Sequence, residues 1–298
     1  MTAELQLIQP GGAPDGSASC DPGAVGTRAA RGRLLAVCAQ YRSATVGFSA
    51  GVDSTVVLWA LLETLGSERV LAVTACSPTF PERELAEARA LAVRLSAPHL
   101  ILSSEEMADE NFRNNPADRC YYCKTELYAK LREAADARGL AEVVDGTNLD
   151  DEGDYRPGLR AAAEHRVRSP LREARLTKAE VRAVARSADL PNADKPAFAC
   201  LSSRIPYGEV ITVEKLSRVG AAEEALRGLG FGQLRVRHHG DVARIEIPPA
   251  DFPRALELAP RIVAAVRAAG YLHVALDLNG YRSGSLNAAL GRADGDAP

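Results

Sequence analysis

Residues Ser49 to Thr55 combine hydroxyl groups, a glycine and an aspartate in one short loop. A β-prone apolar stretch, Ala44–Phe48, precedes the loop and a strongly apolar stretch follows it. This order predicts a buried strand, a tight turn and a helix that Asp53 or Ser54 caps. Such a turn presents unpaired backbone N–H groups at the positive end of a helix dipole, so it suits a phosphate group. The loop has no lysine and is not of the Walker type; an ordinary glycine-containing turn is the alternative.

Cys120 and Cys123 form a C-x-x-C pair at or just before the start of a predicted helix. The helix N-terminus, Arg119 and Lys124 would favour thiolates at this position. The pair alone fits a redox couple, half of a zinc site or two ligands of an iron–sulfur cluster.

A third cysteine, Cys200, lies close to Ser203 and Arg204, a combination that suits an anion and a reactive thiol. A loop cysteine without function is the alternative. A four-ligand zinc site would need a further partner, for which His238 and His239 are the candidates. Three cysteines would instead leave one iron of a four-iron cluster without a protein ligand, and that position can carry a sulfide.

Strand-like and helix-like segments alternate along the first two thirds of the chain. The predicted strands are Ala44–Phe48, Val70–Ala75, His99–Leu102 and Val143–Thr147, with helices at 30–41, 81–95 and 181–187. This alternation predicts an α/β fold with a doubly wound parallel sheet, which binds ligands at the carboxyl ends of its strands. Gly146, Thr147 and Asn148 follow the fourth strand and could touch a nucleotide there, although a plain βα turn is about as good an interpretation. In the acidic run that follows, Asp151 is a candidate Mg²⁺ ligand, with a solvated loop as the alternative.

The composition divides the chain into three parts. Residues 1–27 are rich in Gly, Pro, Ala and Ser and predict a disordered arm, 28–204 form the nucleotide-type domain, and 205–298 a smaller α+β domain. The smaller domain is predicted to contain helices at 213–228 and 252–268 and strands at 234–238, 243–247 and 273–278. The Thr177–Glu180 segment has the pattern of a capping box.

The 298-residue chain is 46% hydrophobic and 25% charged, with a formal net charge of −3. This balance is typical of a globular protein and argues against a general nucleic-acid surface. No apolar run is long enough to predict a membrane span, and no secretory signal is recognised, so we expect a cytoplasmic protein. Its six cysteines are expected to be thiols or metal ligands.

The loop resembles the Ser-Gly-Gly-x-Asp-Ser pyrophosphate loop (PP-loop) of the ATP pyrophosphatase superfamily, with Ala50 where the first glycine is usual. From about Arg33 to Asn287 the chain resembles the ATP-dependent sacrificial sulfur transferase family (LarE) of nickel-pincer cofactor biosynthesis. The motifs that carry the resemblance are Ser49–Ser54, Arg119–Lys124, Asp145–Asn148, Gly153–Gly158, Arg168–Leu171, Ala199–Arg204, Arg235–His239 and Gly280–Ser285.

The resemblance implies that a carboxylate of pyridinium-3,5-biscarboxylic acid mononucleotide attacks the α-phosphate of ATP and releases pyrophosphate. A sulfur nucleophile then displaces AMP and leaves a thiocarboxylate. In one branch of the family a cysteine matching Cys200 gives up its own sulfur. In another, three cysteines hold a [4Fe-4S] cluster that passes on a sulfide. The presence of Cys120, Cys123 and Cys200 favours the cluster branch.

Roles for further residues follow from this resemblance. The residues expected to hold the pyrophosphate end of ATP are Ser49, Gly51, Val52, Asp53, Ser54 and Thr55, with Asp53 near Mg²⁺. Arg235 and Arg237 alternate along a predicted strand and, with Ser203 and Arg204, are expected to grip the phosphate of the mononucleotide; a solvated strand face is the alternative. His238 and His239 would support that site, Glu224 and Glu246 would add carboxylates, and the protein is expected to be a homo-oligomer.

Three other functions are compatible with parts of this pattern. A tRNA sulfurtransferase can share the loop and the three cysteines but needs a basic face for tRNA, which the net charge disfavours. An amide-forming ligase such as NAD or GMP synthetase would not need the cysteines. A zinc-stapled nucleotide sensor or adaptor with a degenerate loop is the non-enzymatic alternative, and Ala50 is the feature that favours it.

Overall fold

The computed structural model describes residues 22–153, 157–196, 199–282 and 286. Sequence-based expectations for the arm up to residue 21, for positions 154–156 of the Gly153–Gly158 motif and for Ser283–Ser285 therefore lie outside the described residues. No helix within the described ranges is long and apolar enough to cross a membrane.

The larger domain alternates strands and helices as the sequence predicts. Its strands are β1 (Ala44–Gly47), β2 (Val70–Cys76), β3 (His99–Ser103) and β4 (Glu142–Val144). Its helices are α1 (Pro22–Cys38), α2 (Val52–Leu65), α3 (Glu82–Arg94), α4 (Glu110–Arg113), α5 (Arg119–Asp136), α6 (Gly158–Glu164), α7 (Pro170–Glu173) and α8 (Lys178–Ser187). The Thr177–Glu180 capping box is confirmed, and it starts α8 at Lys178.

The four strands form one parallel sheet in the order β3-β2-β1-β4. Apolar cores lie on both faces of the sheet. One core contains Leu34, Leu58 and Val184 from α1, α2 and α8, and the other contains Leu131 and Ala161 from α5 and α6. The doubly wound parallel sheet is thus confirmed. The chain reverses its direction across the sheet between β1 and β4, and such a switch point opens a crevice for ligands at the carboxyl ends of the strands.

The smaller domain packs α9 (Val213–Gly228), α10 (Phe252–Glu257) and α11 (Ala259–Ala268) with three strands. These are β5 (Arg235–His239), β6 (Val242–Glu246) and β7 (His273–Leu276), with β5/β6 antiparallel and β6/β7 parallel. Phe112 and Leu201 of the preceding chain belong to the same apolar core. The smaller α+β unit is confirmed, while the domain boundaries stay a prediction.

Three predicted elements differ from the structure. Helix α1 begins at Pro22, so residues 22–27 are helical rather than part of the arm. The predicted helix over 252–268 is broken at Leu258, because Pro260 has no N–H to donate and its ring clashes with the preceding turn. Strand β4 ends at Val144, and the chain at Asp145 turns to bond with Arg168.

Candidate active site

The Ser49–Thr55 loop runs from the end of β1 into α2. The helix begins at Val52 with Gly51 as its N-cap, and no side chain caps it, so the expected capping by Asp53 or Ser54 is wrong. The hydroxyl of Thr55 donates to the Gly51 carbonyl at 2.9 Å, and that of Ser54 donates to the same carbonyl at 3.2 Å. These bonds brace the loop from inside the first helical turn, and Asp53 is left to interact with other segments.

Ala50 adopts a left-handed conformation with φ of 57° and is fully buried. This conformation costs an alanine roughly 1–2 kcal/mol, which explains why glycine is usual here. Asn192 Nδ2 at 2.9 Å and Lys195 Nζ at 3.3 Å both donate to the Ala50 carbonyl. These bonds hold the turn in place, so the departure from the glycine pattern does not by itself make the loop degenerate.

Gly146 brings the end of β4 against the start of α2. A Cβ atom at this position would lie 2.9 Å from the Ser54 backbone nitrogen, closer than real Cβ contacts. Buried Asp145 anchors the same turn, since it accepts bonds from Tyr128 Oη at 2.9 Å and Ser169 Oγ at 2.8 Å. The structure therefore brings Gly146 against the loop, and the contact of the 146–148 segment with a nucleotide stays a prediction.

A first prediction concerns this close approach. Gly146→Ala is expected to lower the free energy of unfolding by about 1–3 kcal/mol, because the added methyl group must displace backbone in the first turn of α2. The affinity for Mg²⁺-pyrophosphate should fall with it. Thermal unfolding and calorimetric titration measure the two effects. The matched control is Gly232→Ala, where an added Cβ would meet nothing within 4 Å; equal behaviour of the two variants would contradict the prediction.

Asp53 is held between two segments that are distant in sequence. Asn148 Nδ2 donates to Asp53 Oδ1 at 3.3 Å, and the Lys178 ammonium forms an ion pair with Asp53 Oδ2. Lys178 lies at the first position of α8, where its backbone N–H donates to Asp150 Oδ2 at 2.9 Å. The cation that the loop lacks is thus supplied by another helix. Lys178 was not predicted from the sequence as a site residue, although the capping box that starts α8 indicated its position.

Asn192 and Lys195 were missed as well. Asn192 Nδ2 also donates to Thr55 Oγ1 at 2.9 Å, and Lys195 Nζ bonds to Glu84 at 2.6 Å and to Glu87 at 2.8 Å. They lie in a loop that has no regular pattern, so the sequence offered no signal for them.

A second prediction follows from the Lys178–Asp53 pair. Lys178→Ala is expected to weaken Mg²⁺-pyrophosphate binding by about 10- to 100-fold, since a charge-assisted hydrogen bond is worth about 1.5–3 kcal/mol. Isothermal calorimetry measures the change. Lys215→Ala is the control, because this lysine also pairs with a carboxylate, that of Glu209, but in the smaller domain. Unchanged binding by the Lys178 variant would remove this lysine from the site.

Asp151 is buried, and its Oδ2 accepts from the Asn148 backbone N–H at 2.9 Å. The solvated-loop alternative is therefore wrong for this residue. Its described bond braces the 148–151 turn, and its role as a Mg²⁺ ligand stays a prediction.

The three cysteines of interest come from two segments. Cys120 and Cys123 lie in the first turns of α5, and Cys200 directly precedes a single turn of 3₁₀ helix over Leu201–Arg204. The thiol of Cys200 is close enough to raise the pKa of Cys120 and of Cys123. The five described cysteines are free thiols.

Burial raises the pKa of both thiols of the C-x-x-C pair and so opposes the predicted effect of Arg119 and Lys124. Desolvation raises the pKa of Cys123 far above its usual range, and desolvation followed by the Cys200 thiol raises that of Cys120. Arg119 lowers the pKa of Cys120 and Lys124 lowers both, as predicted, but the raising effects are larger. Among the described residues, no group of three His, Cys, Asp or Glu side chains is arranged to hold a single metal ion.

His238 does not complete a zinc site with the cysteines. Its Nδ1 lies 3.2 Å from Tyr271 Oη and its Nε2 lies 3.3 Å from Glu209 Oε1. Both ring nitrogens therefore have partners inside the smaller domain.

A buried network of arginines and glutamates lies beside Cys200. Arg204 is 0% exposed; it pairs with Glu223 at 2.8 Å, and its Nη1 donates to the carbonyls of Ala199 and Cys200 at 2.7 and 3.1 Å. Arg237 pairs with Glu246 at 2.9 Å and donates to the Ser203 carbonyl at 2.6 Å.

This network bears on two expectations. Arg204 and Arg237 donate hydrogen bonds to protein groups around the Cys200 turn, and their expected grip on a substrate phosphate stays a prediction. Glu246 joins the network as expected, but the other carboxylate is that of Glu223; Glu224 is largely exposed. Arg235 is the more open of the arginines and contacts Tyr281 Oη at 3.2 Å. Burial, followed by the charge of Arg204, lowers the pKa of Arg235.

Comparison with known proteins shows the family to which this chain belongs. The NAD synthase family pattern matches residues 36–139, which include the loop and the C-x-x-C pair. The pyridinium-3,5-bisthiocarboxylic acid mononucleotide synthase of Lactiplantibacillus plantarum is 41% identical over 260 residues, which cover 87% of this chain and 94% of that protein. The chain belongs to this synthase family.

Two uncharacterised proteins are also similar to this chain. An uncharacterised protein of Synechocystis is 47% identical over 83% of this chain and 92% of its own length. An uncharacterised protein of Methanocaldococcus jannaschii is 29% identical over 80% of this chain and 90% of its own. Membership of the synthase family confirms the resemblance that the motifs predict.

Proposed function

We propose that this protein is an ATP-dependent sulfurtransferase that converts a carboxylate of pyridinium-3,5-biscarboxylic acid mononucleotide into a thiocarboxylate. The proposal rests on family membership and on one observation of the structure. The Leu201 backbone N–H donates to the Thr79 carbonyl at 3.0 Å. Because Thr79 follows β2 and the Ser49–Thr55 loop follows β1, Cys200 and the loop lie at the same edge of the parallel sheet.

In the first step a carboxylate oxygen of the substrate attacks the α-phosphorus of ATP, and the bond to the bridging oxygen of pyrophosphate breaks. The N-terminus of α2 and the Lys178 ammonium would bind the leaving pyrophosphate. Mg²⁺, when bound, would neutralise phosphate charge, with Asp53 as its ligand. In the second step a sulfur nucleophile forms a C–S bond to the acyl carbon, and AMP leaves with the oxygen of the broken C–O bond.

The sulfur source is the finer part of the proposal. Cys120, Cys123 and Cys200 would hold a [4Fe-4S] cluster, and a cluster supplies, when bound, a sulfide that is not part of its core. Three free thiols that influence one another electrostatically fit this group, since a cluster spreads its ligands over several irons. The alternative source within the same reaction is the sulfur of Cys200 itself.

The substrate phosphate would bind near Arg235. Burial and the Arg204 cation lower the pKa of this guanidinium, so a phosphate anion would relieve an unfavourable charge. Ser203 and the buried Arg204 and Arg237 would fix the backbone that faces this anion. The homo-oligomeric state, the absence of a nucleic-acid partner and the cytoplasmic location stay predictions.

Anaerobic purification with iron, acid-labile sulfide and zinc assays tests the sulfur source, and ATP–pyrophosphate exchange with the pyridinium nucleotide tests the reaction. Roughly four irons per chain with matching sulfide would support the cluster. If the protein contains neither iron nor zinc and its mass falls by one H₂S after turnover, Cys200 is the sulfur donor. If the protein contains zinc but no iron, the C-x-x-C pair has a structural role. Copurifying RNA without exchange activity would favour a tRNA sulfurtransferase.

A further inference from the structure

Arg119 is a buried cation for which the described residues provide no carboxylate. Arg119 is only 3% exposed. Its Nη1 donates to Asn115 Oδ1 and to the Ser202 carbonyl, the latter at 3.0 Å. Its Nε has no hydrogen-bond partner in the described structure. Two other buried arginines differ in this respect, because Arg204 pairs with Glu223 and Arg237 pairs with Glu246.

The surroundings of Arg119 add further positive potential. Arg119 is the first residue of α5, a helix of 18 residues whose N-cap is Asp118; the Asp118 side chain makes no capping hydrogen bond, and the first turn holds no acidic residue. Lys124 follows on the same helix, and both cations act on the Cys120 thiol. The Arg119 guanidinium lies over the Tyr207 ring, with its Cζ 5.6 Å from the ring centroid. A buried charge without a paired carboxylate is costly, so an anion beside Arg119 would be stabilised.

Glu106, a buried carboxylate that also acts on Cys123, forms no ion pair with Arg119 in the part of the chain that the structure describes. It accepts hydrogen bonds from the hydroxyls of Ser77, Thr79 and Ser104 instead.

Arg119 also joins the two segments that carry the cysteines. Its bond to Ser202, two residues after Cys200, links positions 83 residues apart. Asn115, which it contacts, donates from Nδ2 to the carbonyls of Ile205 at 3.2 Å and Pro206 at 2.7 Å. Loss of the Arg119 guanidinium should therefore change the distance between Cys120 and Cys200.

We infer that Arg119 is the buried counter-charge for an anionic sulfur species held among Cys120, Cys123 and Cys200, and that it positions the first turn of α5 against the Cys200 turn. The inference rests on the proposed function and deepens it. The ligand is either the sulfide of a thiolate-bound cluster or free hydrosulfide. Both carry negative charge, and in both a sulfur atom accepts the hydrogen bond. Arg119 is thus a positioning residue for sulfur transfer.

The test compares the full chain with Arg119→Gln, Arg119→Lys and the control Arg113→Gln, an exposed arginine of α4 that pairs with Glu110. After anaerobic reconstitution with iron and sulfide, Arg119→Gln should retain less sulfide than the unaltered protein, and the midpoint potential of its cluster should be more negative. Arg119→Lys keeps the charge and should keep the potential. The control should match the unaltered protein in both measurements.

A second arm uses iron-free protein, so that it does not depend on the cluster. Titration with Cd²⁺, followed by its thiolate absorbance, should show affinity about 10-fold weaker or more in Arg119→Gln, as loss of an outer-shell partner typically causes. Sodium hydrosulfide alone should raise the thermal midpoint of the unaltered protein more than that of Arg119→Gln if free hydrosulfide is the ligand. Sulfide retained only together with iron would identify the cluster as the ligand.

The two arms separate failure of the inference from failure of the proposed function. Unchanged Cd²⁺ affinity, sulfide content and potential in Arg119→Gln would overturn the inference and leave the sulfurtransferase proposal intact. An unaltered protein that retains no sulfide in either arm would overturn both the cluster assignment and the inference. If Arg119→Gln does not fold, Arg119→Lys decides, because the lysine side chain ends one bond short of the position of Nη1, which makes both bonds; unchanged Cd²⁺ affinity in that variant would overturn the positioning role.

Discussion

Asp53→Asn is expected to reduce ATP–pyrophosphate exchange by about 10²- to 10³-fold, the scale of losing one preorganised electrostatic contact in an active site. Asparagine has the same shape and keeps a carbonyl oxygen for Asn148 Nδ2, which donates to Asp53 Oδ1 at 3.3 Å. It removes the negative charge that would hold Mg²⁺ and that pairs with Lys178. The fold should be kept, and only the chemistry should be lost.

The exchange assay with labelled pyrophosphate measures this effect, and thermal unfolding verifies the fold. Asp194→Asn is the control, since this exposed aspartate pairs with Arg186 outside the loop. Normal exchange by Asp53→Asn would show that the Ser49–Thr55 loop does not hold the reacting nucleotide. A loss of exchange together with a lower thermal midpoint would instead indicate a structural role for Asp53.

Replacing the cysteines is expected to separate the two steps of the reaction. Cys200→Ala should abolish thiocarboxylate formation whether the sulfur comes from a cluster or from this residue. Cys120→Ala and Cys123→Ala should abolish it only if a cluster is the source. Adenylation should remain in all three variants, because the loop and Asp53 are unchanged. Mass spectrometry of the product and the exchange assay measure the two steps.

Cys76→Ala is the matched control, because this free, half-buried thiol at the end of β2 has no assigned role. It should keep both steps. Full multiple-turnover sulfur transfer by Cys120→Ala or Cys123→Ala would exclude the cluster and leave Cys200 as the donor. Loss of adenylation in these variants would mean that the cysteines and the loop cannot be separated functionally.

The sequence alone predicted the elements that depend on local pattern. The order of strands and helices, the parallel sheet and the capping box at Thr177 follow from hydrophobic periodicity and from side chains that bond within a few residues. The start of α1 and the break before Pro260 were missed, because a Gly- and Ala-rich segment has little periodicity and the surrounding apolar pattern masked the proline.

Amino-acid types and their order determined the family to which the chain belongs, and they predicted the phosphate-type loop and the three candidate cysteines. Only the tertiary structure decided which side chains surround these groups. Lys178 reaches Asp53 across 125 positions, and Arg204 is buried against Glu223. The physical reason is that charge pairing and burial depend on distance in space. Packing at the switch point of the sheet sets that distance, so the distance cannot be read from the spacing of the residues along the chain.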